Sequence, residues 1–222
     1  MSHNASPHEI EAQLKRVSTS LFEGVSAGIE LADRIMSQIP NSSQYAFYRT
    51  HTVRIGAREH WSTHGIGQGW YLSGNANLQA QTILINPDQG LSLRFLRERR
   101  RSYPGGVPVA GTNQARREAW TQQAFDLGLL GGQGDEEPVE EVLLLLLWDI
   151  TDDSQIKVRV VHPTAPGVYG QAVPIDMNFE IETGGTLFSR LSYRGDDQYE
   201  NFFLNIDQED NEGNGTNGVI EL

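Results

Sequence analysis

The sequence predicts an α+β protein: a long N-terminal helix packed on a mainly antiparallel β-sheet of about seven to nine strands, with a short helix in mid-chain. Three observations carry this expectation. Apolar residues recur every three or four positions from Ile10 to Ile39. After Pro40 the texture changes to short aromatic and β-branched runs separated by Gly, Pro, Asn and Asp. Beyond residue 128 apparent strands follow one another without intervening helices, which argues against a doubly wound fold.

The helix begins at Ser6-Pro7-His8-Glu9. Ser6 can accept from the free N–H groups of the first turn, Pro7 lacks the N–H that would be left over there, and Glu9 completes a capping box. Ile10, Leu14, Val17, Leu21, Val25, Ile29, Ala32, Ile35, Met36 and Ile39 then mark one stripe, stopped by Pro40-Asn41. Unbroken, such a helix would reach roughly 50 Å. Gly24 and Gly28 weaken its middle by about 1 kcal/mol each relative to Ala, so a bend or two helices in series is expected. The small residues at 24, 26, 27 and 28 would let another element approach closely.

In residues 41–127, a basic region rich in Arg and aromatics, Tyr45 to Ile55 reads as a strand from its β-branched and aromatic content. A shorter strand follows at Trp70 to Leu72. Gln81 to Asn86 and Leu91 to Leu96 flank Pro87-Asp88-Gln89-Gly90, a hairpin in which Pro fixes one corner and Gly permits the other. Arg97 to Gly111 reads as an exposed loop and 113–127 as the short helix. Residues 128–138 read as a linker. In 139–206, Val142 to Ile150 lacks polar alternation, as a central strand buried on both faces would. Ile156 to His162 and Met177 to Ile181 alternate; 187–193 and 201–206 are weaker strand candidates. Residues 207–222 form an acidic tail expected to be disordered.

The 222 residues include 29 acidic and 17 basic side chains, a net charge of −12, and no Cys. Thiolate chemistry and disulfides are therefore excluded. No run of 18 apolar residues occurs and the first ten residues are polar, so the expectation is a cytoplasmic protein without membrane contact. The net charge conceals a division. Through residue 134 there are 13 basic against 10 acidic residues, a balance of +3; from 135 onward there are 4 against 19, or −15. Residues 41–117 hold ten Arg against Glu59, Asp88 and Glu98, or +7. Fifteen of the 17 basic residues are Arg, suited to planar recognition of phosphate or carboxylate, although codon usage alone can produce the same bias.

Arg94, Arg97, Arg99, Arg100, Arg101, Tyr103, Arg116 and Arg117 are the candidate binding residues, because guanidinium groups beside aromatic rings suit single-stranded nucleic acid or an acidic protein surface, although pairing with the chain's own acidic C-terminal half or with a copy of it accounts for the arginines equally. The other constellations are weaker. Gly24 to Gly28 matches G-x-S-x-G around Ser26, with Asp149 and His162 following in the order of a hydrolase triad, but Ser26 lies within the helical stripe instead of on a strand-to-helix turn. His51, Glu59, His60 and His64 offer metal-ligand types without the H-E-x-x-H order. Asp149, Asp152 and Asp153 fit either a hard cation or ordinary turn chemistry. The Gly65-x-Gly67-x-Gly69 loop lacks the Lys-Ser/Thr of a P-loop.

Three function classes follow. The leading expectation is a non-enzymatic interaction protein of regulatory, immunity or assembly type, binding itself or a protein partner through the helical stripe and its complementary charges. The second is a nucleic-acid-binding protein using residues 94–117; the third is a hydrolase or metal-dependent enzyme. No cofactor and no metal is expected.

Overall fold

The computed structural model describes residues 6–122 and 141–181. Among the described residues, four α-helices and a six-stranded mixed sheet make an α+β architecture. The helices are α1 (Pro7–Arg16), α2 (Ser18–Met36), α3 (Ala46–His64) and α4 (Gln114–Trp120); the strands are β1 (Tyr71–Ser73), β2 (Ile83–Asn86), β3 (Leu91–Arg97), β4 (Val142–Ile150), β5 (Ile156–Pro163) and β6 (Ile175–Glu180). Spatial order follows chain order, β1 to β6. Every neighbouring pair is antiparallel except β3 and β4, which are parallel and linked by the crossover that contains α4. The expected linker at 128–138, the strand candidates at 187–193 and 201–206, and the acidic tail lie outside the described residues.

The N-terminal capping box forms as the sequence dictates: Glu9 N–H donates to Ser6 Oγ at 3.3 Å, and Ser6 N–H donates to Glu9 Oε2 at 2.8 Å. The stripe then divides into two helices in series. The interruption falls at Val17, whose φ of −110° and ψ of 7° leave helical geometry, and not at Gly24 or Gly28. Those glycines serve the neighbouring helix instead. A Cβ on Gly28 would lie 2.3 Å from the Val53 carbonyl oxygen, and one on Gly24 would lie 2.2 Å from the Trp61 ring. Close approach also allows Trp61 Nε1 to donate to the Ser20 carbonyl at 2.9 Å. Gly28→Ala is thus expected to destabilise the protein by about 1–3 kcal/mol through overpacking against backbone that cannot yield, read as a lower urea midpoint with an unchanged slope.

The segment expected as a strand from Tyr45 to Ile55 is helical, and it becomes the N-terminal half of α3. Propensity misled because packing decides. Arg49, Thr52, Val53, Gly56, Ala57 and Trp61 recur at helical spacing and are buried, and two of the first three are polar, which hides the stripe. Arg49 is neutralised by Asp33 of α2, and Thr52 Oγ1 donates to the Tyr48 carbonyl at 2.9 Å.

Two cores sandwich the sheet. Helices α1 to α3 cover one face, where Leu14, Leu21, Val25, Val53 and Trp61 meet Leu93, Phe95, Leu144, Leu146 and Trp148. The opposite face packs Leu145, Leu147 and Val161 against Val107, Ala110 and Trp120. Strand β4 contributes alternate residues to both cores, which is why its sequence shows no polar alternation. The hairpin at Pro87 to Gly90 forms as expected, with Gly90 at φ 61°. No described helix is long and apolar enough to cross a membrane.

Candidate functional site

A cleft of about 460 Å³ opens where the sheet is incomplete. Strand β2 begins at Ile83, opposite Arg94, so Leu96 and Arg97 at the end of β3 have no β2 residue beside them. On one side of this open edge stands α3, which presents Phe47, Thr50, His51 and Arg54 at helical spacing on a single face. On the other side stand the loop after β3, with Arg99 and Tyr103, and helix α4, with Arg116 and Trp120. Arg94 and Arg97 rise from β3 itself. Five arginines from three separated parts of the chain therefore line one concavity.

Their environment is repulsive. Burial is the main cause lowering the Arg54 pKa below the ordinary guanidinium value, with the positive charges of Arg99 and Arg116 adding to it. Burial likewise pushes Arg94 down, to about 10, with Arg116 and Arg54 reinforcing the shift. Neither Arg54 nor Arg94 has a hydrogen bond or ion pair among the described residues. Arg54 Nε and Arg116 Nε are buried without an acceptor there, as is the indole N–H of Trp120. Arg116 Nη1 donates to the Ala110 carbonyl at 3.3 Å. His51, in the same wall, is kept below its usual pKa by burial and then by the charge of Arg54. Buried donors without acceptors are costly, and here all three belong to residues that line the cleft.

Arg97 is better anchored. Its Nη1 lies 3.4 Å from Thr50 Oγ1, and its guanidinium carbon sits 5.4 Å from the Trp148 ring centroid, a cation–π contact. Tyr103 is 5% exposed and meets Tyr169 edge-on at 5.6 Å; Tyr169, 57% exposed, offers a ring to solvent beside the cleft.

The sequence candidates divide accordingly. Arg94, Arg97, Arg99, Arg116 and Tyr103 line the cleft. Arg100 points to the other side, where its Nε donates to Glu98 at 2.7 Å and lies 3.6 Å from Asp149. These carboxylates hold Arg100 above its usual pKa. Arg101 and Arg117 are exposed and do not line the cleft. The sequence reading did not single out Arg54 or Tyr169, and it considered His51 only as a metal-ligand type and not as part of this cleft. Arg54 and His51 stand in the segment read as a strand, and helical spacing at 47, 50, 51 and 54 was the available signal.

The weaker constellations come apart. Ser26 lies inside α2 at a buried helical position, so no nucleophile elbow exists. His162 Nδ1 contacts Asp176 at 2.6 Å, while Asp149 is engaged near Arg100, with burial raising its pKa. His60 and His64 stack with centroids 4.3 Å apart. Asp153 accepts from the Thr151 hydroxyl within the turn after β4, which is ordinary turn chemistry. Among the described residues no group of three or more His, Asp or Glu could hold a metal ion. Comparison of the chain with protein-family models, curated proteins and solved structures finds no match.

Proposed function

We propose that this chain is a non-enzymatic binding protein whose arginine cleft receives a polyanion, with single-stranded nucleic acid as the partner. The observation that carries the reading is the mutual facing of Arg54, Arg94 and Arg116 across a cleft with no described carboxylate to neutralise them. An anionic ligand supplies the missing charge to these guanidinium groups. Tyr169, beside Tyr103 at the cleft, suits the stacking of an unpaired base. The helical stripe from Ile10 to Ala32 is buried against α3 and the sheet and is not part of this recognition surface.

The protein should bind a fluorescent oligodeoxythymidine of about twenty nucleotides at low salt. Neutralising about three phosphates would give a slope of log affinity against log salt near −2. Arg99→Ala should weaken binding, whereas Arg101→Ala and Arg117→Ala should leave it within about twofold. Absence of oligonucleotide binding and of heparin retention at low salt would sink the proposal. A second reading, pairing of the cleft with an acidic protein surface such as that of another copy, draws on the balance of −15 beyond residue 134. It predicts a salt-sensitive oligomer in light scattering.

A further inference from the structure

Not all of the cleft's arginines are alike, and the difference bears on the chemistry of the ligand. Arg97 already has Thr50 and the Trp148 ring. Arg54, Arg94 and Arg116 line the cleft together and act on one another as like charges in a poorly hydrated place. The three belong to three elements, α3, β3 and α4, so the packing of the fold brings them together and no local sequence run does.

A diester phosphate within a strand carries one negative charge and two free oxygens. A phosphate monoester carries about −1.5 to −2 at neutral pH and presents three strong acceptor oxygens. Three guanidinium groups that repel each other are better neutralised by the second, and the planar Nε–H and Nη–H fork of Arg engages two oxygens of one phosphate at a time. His51, which stands in the same wall and is held down by burial and by Arg54, would gain proton affinity from a nearby dianion and so add a further donor. The volume of about 460 Å³ is of the order that holds a mononucleotide.

We infer that Arg54, Arg94 and Arg116 form a subsite for a terminal phosphate monoester, supplied either by the end of a nucleic-acid strand or by a free nucleotide. The inference rests on the polyanion reading above and goes beyond it by naming the group that is buried.

The test measures binding of oligodeoxythymidine of about ten nucleotides carrying a 5′-phosphate, a 3′-phosphate or hydroxyls at both ends, with the label at the opposite end. A terminally phosphorylated strand is expected to bind at least tenfold more tightly than the hydroxyl strand. That preference should disappear in Arg54→Met and in Arg94→Met, whose folding is checked by circular dichroism and thermal melting. In competition, displacement of the phosphorylated strand by thymidine monophosphate at comparable concentration supports the subsite and makes a free nucleotide the source. Displacement only by another phosphorylated strand supports it with the strand end as source. Equal affinity for phosphorylated and hydroxyl strands overturns the monoester subsite while leaving the polyanion function standing. Binding of none of the strands overturns both.

Discussion

Glu98→Gln is expected to destabilise the protein by about 3–5 kcal/mol, the usual cost of breaking a buried ion pair from one side. Glu98 is only 3% exposed and receives two guanidinium groups, Arg100 at 2.7 Å and Arg159, itself 8% exposed. Arg159 also donates to the Gly105 carbonyl and to Asn178 Oδ1, the latter at 3.1 Å, so it ties the loop after β3 to β5 and β6. An amide in place of the carboxylate keeps the shape and removes the charge, leaving Arg159 buried without compensation. Urea denaturation at neutral pH measures the loss. A second variant separates charge from packing: Glu98→Gln combined with Arg159→Met should recover a large part of it, since both members of the pair are then neutral. A single variant within about 0.5 kcal/mol of the unmodified protein would show that the network contributes no net stability. The expected loss also bears on the cleft, because Glu98 stands between Arg97 and Arg99 and fixes the path of the chain that delivers Arg99 and Tyr103 to it.

This network shows what could be read in advance and what could not. The run Arg97-Glu98-Arg99-Arg100-Arg101 looks from its sequence like one basic patch. In the fold its members face different ways: Arg97 and Arg99 line the cleft, Arg100 turns to Glu98 and Asp149, and Arg101 is exposed. Proximity in sequence overstated the patch, and the partner that divides it, Arg159, is 61 positions away from Glu98. The reverse holds for Arg54, which reaches the same cleft from a helix whose aromatic and β-branched content resembles a strand. Local signals with a single structural outcome were legible: the Ser6 to Glu9 capping box, the Pro87 to Gly90 hairpin and the doubly buried β4. The parallel pairing of β3 with β4 was not, because it depends on a crossover of more than forty residues whose course no local pattern records. The break at Val17 was missed for a related reason. Gly24 and Gly28 are poor helix formers, but close packing with α3 keeps them helical, while Val17, itself buried in the core, leaves helical geometry and serves as the C-cap of α1.

Arg94→Met should have opposite effects on stability and on binding, and this opposition distinguishes a binding residue from a structural one. In the ligand-free protein Arg94 is a partly buried cation with its pKa depressed to about 10 by burial and by Arg116 and Arg54. Its charge therefore opposes folding, and a side chain of similar length without charge is expected to stabilise the fold by about 1–2 kcal/mol. The same change removes one of three groups that would hold the ligand phosphate, so affinity for a phosphorylated strand should fall at least tenfold, or by about 1.4 kcal/mol or more. Ligand works against this gain in stability. At a free concentration of about 100 times its Kd, the ligand adds about 2.7 kcal/mol to the unmodified protein, and adds only about 1.4 kcal/mol to a variant that binds tenfold more weakly. Thermal melting with and without the phosphorylated strand should thus show Arg94→Met as the more stable form alone, with the advantage narrowed or inverted when ligand is present. A loss of stability in the ligand-free variant would instead make Arg94 a structural cation, and the repulsive cleft would no longer point to an anionic ligand. The costs of holding Arg54, Arg94 and Arg116 together are physically intelligible if the ligand relieves them, which is the pattern expected where stability has been traded for a binding site.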